Sequence, residues 1–160
     1  MRLYHGSIEI VELPEIRQPN RTLDYGSGFY TTTDHDQAEQ WARRRLRKGQ
    51  NEAYVNIYEV DIDAIRKANT LWFDSPSEEW VDFVYANRND RNYDHKYDYV
   101  YGPVANDRVY AQFALFEAGL IDKQTLIREL KTYTLVDQLL FHTPQALESL
   151  SFVEFRRIAL

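Results

Sequence analysis

Between Gly26 and Gly49 the chain spells out a complete strand–helix unit, and that unit restricts the possible folds more than any other stretch. Gly26-Ser27-Gly28 is a hinge of small residues. Phe29-Tyr30-Thr31-Thr32-Thr33 follows, and its aromatic and β-branched side chains favour a half-buried pleated strand. Asp34 predicts a helix N-cap, because its carboxylate can accept from the free N–H groups of the first turn, and Gln37 completes a capping-box pattern. Ala38, Trp41, Ala42 and Leu46 recur at helical spacing and give the helix one apolar face. Arg43-Arg44-Arg45 and Arg47-Lys48 make the other face basic, and Lys48-Gly49 predicts the end, a cation against the carbonyl pole followed by a glycine.

The remaining elements alternate without βαβ regularity. Arg2–His5 reads as a strand stopped at Gly6, and 13–21 as a loop. The period-two run Ala53–Asp61 is the clearest strand, followed by a short helix at 63–68 and a short strand at 70–73. A helix is predicted over 77–88, with Ser75 and Glu78 as its capping box, and a polar loop over 89–96. Tyr97–Pro103 reads as a strand broken by Gly102-Pro103. Helices capped by Asn106 or Asp107 and by Asp122 follow. Then come a strand over 135–143, a helix opened by Pro144, and a last strand over 152–158. Such a mixture predicts an α+β fold, and 160 residues predict one domain spanning 1–160.

Composition narrows the function. Apolar residues at 44% and charged residues at 28% are those of a chain that folds, not a disordered one. A net charge of −6 argues against broad electrostatic capture of nucleic acid or anionic lipid. The absence of cysteine excludes disulfides, thiolate metal sites and a cysteine nucleophile, and suits a cytoplasmic protein. No window approaches a membrane span, the N-terminus lacks a signal pattern, and no nucleotide-binding glycine motif occurs.

Two places can carry chemistry. Tyr4-His5-Gly6-Ser7 sets an imidazole at a strand end beside a glycine that lets backbone approach a ligand, with a hydroxyl following. Trp41 lies eleven residues after Tyr30, across a strand-to-helix return that can bring both rings to opposite walls of one slot suited to a flat heteroaromatic ring. Spacing alone leaves open whether the two rings bind a ligand or pack the core. Asp34-His35-Asp36 diverges along a helix start and points to no metal, and His95 and His142 have no ligand partner at useful spacing.

Taken together, His5-Gly6-Ser7 in a first strand and Gly28-Phe29-Tyr30-Thr31-Thr32-Thr33-Asp34 entering a helix resemble the ADP-ribosyltransferase superfamily. The likeness is to its histidine–tyrosine–glutamate branch, that of the poly-ADP-ribose polymerases and diphtheria-like toxins. Across nearly the whole chain, with the Asp82-Phe83-Val84, Asn87-Arg88 and 102–108 segments added, it resembles a small bacterial family assigned to that superfamily. The resemblance implies a split β-sheet with a central cleft for NAD, the cofactor consumed as substrate. It implies His5 on the adenosine-side ribose, Gly6 and Ser7 on the nicotinamide amide, Gly28 in the cleft loop, and Tyr30 and Trp41 stacking on the nicotinamide.

The branch's glutamate, which opposes the cationic sugar as the glycosidic bond breaks, is replaced. The matching position is Gln138, an acceptor without charge. At ~4 Å and an effective dielectric near 20, one missing charge forfeits ~4 kcal/mol, roughly a thousandfold in rate. Asp107 is the substitute carboxylate in view. Its loop also offers Asn106 for a ribose and Arg108 for a phosphate, whereas Asp137 points to the other face of a regular strand. The expected function is therefore NAD-dependent transfer of ADP-ribose to a macromolecular acceptor, as in a bacterial toxin or defence component with a small cognate partner or antitoxin. The alternative is a catalytically impaired module that binds NAD, ADP-ribose or a partner. A nucleic-acid role through the 43–48 basic run fits the acidic total least.

Overall fold

The computed structural model describes residues 1–17, 23–104 and 107–160, the Asp107 side chain apart. Seven strands form one sheet: β1 (Arg2–Ser7), β2 (Phe29–Thr32), β3 (Tyr54–Glu59), β4 (Thr70–Trp72), β5 (Tyr99–Pro103), β6 (Asp137–Phe141) and β7 (Ser151–Arg157). The helices are α1 (His35–Arg45), α2 (Ile62–Lys67), α3 (Glu78–Asn89), α4 (Asp107–Glu117), α5 (Lys123–Leu130) and α6 (Pro144–Leu147). Strand order is β4-β5-β6-β2-β1-β3-β7, with β4–β5 parallel and the other pairs antiparallel. The architecture is α+β, as the mixture of elements predicts.

Side chains paired across the ladders share a face, so registers assign the two sides of the sheet. Gly102↔Gln138, Val100↔Leu140, Tyr30↔Leu140 and Tyr4↔Thr32 place these residues on one face. There α3, α4 and α5 bury Trp80, Phe113, Leu126 and Leu130 over the β5–β6 half. On the same face α1 buries Ala38 and Ala42 with Val55 and Ile57 over the β1–β3 half. The boundary between the two packings falls at β2. The opposite face, built on Leu3, Phe29, Tyr58, Leu139 and Phe141, is covered by α2 and α6 through Ile65 and Ala146.

Local expectations hold with four corrections. The first strand does not stop at Gly6: its ladder with β3 runs on through Gly6↔Val55 and Ser7↔Tyr54, and that pairing carries the glycine within the strand. Asp34 is the N-cap of α1, accepting from Asp36 N, but the helix closes at Arg45 with Leu46 as C-cap, one turn before Lys48-Gly49. Ser77, not Ser75, caps α3, its hydroxyl accepting from Trp80 N at 3.2 Å; a cap needs the oxygen and not the reciprocal glutamate. Gly102-Pro103 does not break β5: the ladder runs through Pro103↔Asp137, because the proline sits at the strand end where its missing N–H costs little.

The β1–β2 ladder is unlike its neighbours. Pairing of β1 with β3 is registered from Arg2↔Glu59 through Ser7↔Tyr54, and pairing of β2 with β6 covers all of β2. Between β1 and β2 the register is Tyr4↔Thr32, so His5, Gly6 and Ser7 part from the second strand.

Candidate active site

Where the two strands part, a side chain takes over from the ladder. His5 Nδ1 lies 2.7 Å from the Tyr30 carbonyl oxygen, which in a continuous sheet would meet a β1 amide. A carbonyl only accepts, so Nδ1 carries the hydrogen and Nε2 is left as the ring's acceptor. The imidazole is buried and rests on Phe29, ring centroids 4.2 Å apart. Burial above all holds its pKa down at about 4; the Tyr30 carbonyl opposes this, and the charges of Arg45 and Arg17 add to it. His5 is therefore neutral at pH 7, within electrostatic reach of Arg45 and Arg17.

Gly6 is dictated by α1. A Cβ there would stand 1.8 Å from the Ala38 carbonyl oxygen and 2.8 Å from Ala42 N, so helix backbone lies directly on strand backbone. Tyr4 meets His35 edge-on at 5.3 Å, and Gly6 meets Ala38 and Ala42, so α1 runs in step with β1 and carries Arg45 past the strand's end. Leu46 packs on the β3 side with Ala53 and Val55. Trp41 and Gln37 occupy the opposite flank of the helix and so lie toward β2; Gln37 is buried and Trp41 half-buried. Tyr30 projects from β2 on that same face. The slot expected from Tyr30 and Trp41 thus has both rings on one face of the sheet, above the parting strands.

Tyr30 is fixed at its far end. Its hydroxyl donates to the Gly26 carbonyl at 2.6 Å and accepts from Tyr25 N at 3.0 Å, while burial raises its pKa well beyond reach. It is a wall and not an acid. The loop holding it is gripped in turn: His95 Nε2 donates to the Tyr25 carbonyl at 2.8 Å and His142 Nδ1 meets the Ser27 carbonyl at 2.6 Å. These two imidazoles lie against each other tilted by 32°, with centroids 3.9 Å apart, a pairing that their separation in sequence hides. Gly28 has φ +146°, and a Cβ there would stand 2.4 Å from the Phe141 carbonyl oxygen, so only glycine can pass β6 at this height.

Gln138 lies on the Tyr30 face and is buried. Asp137 lies on the other, accepting from Tyr101 Oη at 2.8 Å, as strand alternation requires. The Ser7 hydroxyl accepts from Glu9 N at 3.1 Å and keeps its own hydrogen to give. Arg108 is exposed on α4 with its guanidinium 4.9 Å from the Tyr133 ring centre. Asn106 and the Asp107 side chain lie outside the described residues. Among the described residues no three His, Asp or Glu side chains gather as a metal site, and no helix is long and apolar enough to cross a membrane.

One residue that sequence reasoning missed is Tyr25, fully buried behind Tyr30 and Gln138. Only its place directly before Gly26, the first hinge glycine, marks it in the sequence.

A family match defines the class. The family described as "Protein of unknown function (DUF3990)" matches residues 1–152, and the chain belongs to it. No curated protein and no solved structure matches the chain.

Proposed function

We propose that the protein is an NAD-dependent ADP-ribosyltransferase whose cleft is the parting of β1 and β2. The observation that carries this reading is the open stretch His5-Gly6-Ser7 facing Tyr30, with Trp41 on the flank of α1 that overlies it. Strand backbone freed from its ladder offers an amide N–H and a carbonyl side by side, the complement of a carboxamide. Two aromatic walls favour a flat pyridinium, stacking adding roughly 0.5–1.5 kcal/mol beyond area burial. Arg17 and Arg45, close enough to depress His5, suit the diphosphate of the same ligand.

The reaction follows from these parts. The bond between the ribose C1′ and the nicotinamide nitrogen breaks, its electron pair leaving with nicotinamide. The sugar becomes an oxocarbenium ion, a nucleophile of the acceptor adds at C1′, and the nucleophile's proton goes to solvent. Gln138 would accept from a ribose hydroxyl without opposing the cation's charge, which makes for a slow transferase.

Gln138 also favours a second reading, a module on this scaffold that binds NAD or ADP-ribose without transfer. Single-turnover incubation with NAD separates the two. Release of nicotinamide that is lost in Tyr30→Ala supports the enzyme; NAD bound and recovered intact supports the module. Absence of NAD binding overturns both.

A further inference from the structure

We propose that Tyr25 is a positioning residue whose hydroxyl fixes which end of the Gln138 amide faces the cleft, presenting the carboxamide oxygen to a hydroxyl of the bound ribose. The inference rests on the NAD reading of the cleft, but its structural half stands on geometry alone. The Tyr25 hydroxyl lies over Gly102, 2.6 Å from where a Cβ at that residue would be. Gly102 is the cross-strand partner of Gln138, so the hydroxyl and the Gln138 side chain share one face at neighbouring positions. Burial raises the pKa of this hydroxyl, while the Trp80 indole and the Gln138 side chain, acting toward it as donors, pull it down.

Donor and acceptor valence then decides the orientation. A phenol has one hydrogen and two lone pairs. Tyr25 gives its hydrogen to the Pro103 carbonyl at 2.8 Å. The Trp80 indole, which can only donate, occupies one lone pair at 2.8 Å. Gln138 therefore meets the remaining lone pair with its NH2 group, and its oxygen points away from the phenol. Glutamate offers no hydrogen there. It would require the phenol to turn from Pro103, leaving a buried carbonyl unpaired. Glutamine at 138 is matched to tyrosine at 25, which accounts for the departure from a carboxylate.

Tyr25 serves Tyr30 with its main chain and Gln138 with its side chain, so Tyr25→Phe separates the two. Calorimetric titration of nicotinamide and of NAD into wild type, Tyr25→Phe, Gln138→Ala and the double variant tests the proposal. Tyr25→Phe is expected to leave nicotinamide affinity within about twofold and weaken NAD about fivefold to tenfold, the range for one lost hydrogen bond. The double variant should be no weaker than Gln138→Ala alone. Equal weakening of both ligands, or additive losses, would mean a merely structural tyrosine and overturn the proposal. The Gln138 side-chain amide protons give a readout without NAD: slow exchange in wild type that quickens in Tyr25→Phe supports the contact, and fast exchange in wild type overturns it. A wild type that binds neither ligand overturns the cleft and the ribose half, while the amide spectrum still decides the contact.

Discussion

His5 makes the stability of the fold depend on pH in a calculable way. An ordinary histidine in the unfolded chain takes up a proton near pH 6.5, whereas the buried ring resists until about 4. Between those values the unfolded state binds more protons than the folded one, so stability falls as pH falls and levels off below about 4. Each unit of separation is worth about 1.4 kcal/mol, which makes the whole effect ~3 kcal/mol and the part lost by pH 5 ~2 kcal/mol. His5→Gln keeps an N–H for the Tyr30 carbonyl and removes the titration. Urea unfolding of both proteins at pH 8 and pH 5 should show wild type losing ~2 kcal/mol more than the variant. For a chain of this size that is roughly 4–8 °C in Tm. His95, also pushed down by burial, titrates in both and cancels in the difference. Equal pH slopes, or a steeper slope in the variant, would refute the burial argument.

Gly6→Ala should destabilise by about 3 kcal/mol, since the added methyl meets helix backbone at 1.8 Å and backbone cannot rotate aside; equilibrium urea unfolding measures it. Trp41→Ala should weaken nicotinamide binding about fivefold to tenfold through lost stacking, seen by calorimetric titration. The half-buried indole leaves the core little changed, so thermal unfolding of that variant should move only slightly.

The strands and helices were legible because their signals are local. The Asp34 cap, the period-two run at 54–59 and Pro144 at the start of α6 each act within a few residues. Boundaries slipped where two local signals competed, as at Leu46 against Lys48-Gly49 and at Ser77 against Ser75. The candidate site was legible only as residue types near the N-terminus, since His5, Gly6, Tyr30 and Trp41 belong to consecutive elements. What stayed hidden depends on contacts across the sheet. The tie from Tyr25 to Pro103 spans 78 residues, and the tilted ring pair His95–His142 joins two loops. No periodicity encodes such partners; they follow from strand order. Gly102 shows the same limit, reading as a strand breaker until the Tyr25 hydroxyl is placed above it.

A crystal structure with nicotinamide bound addresses the cleft most directly. The pyridine ring should lie between the Tyr30 phenol and the Trp41 indole, its carboxamide paired with the Gly6 main chain. A ring seated elsewhere, or no bound ring at saturating concentration, would contradict a cleft made by the parting of the first two strands.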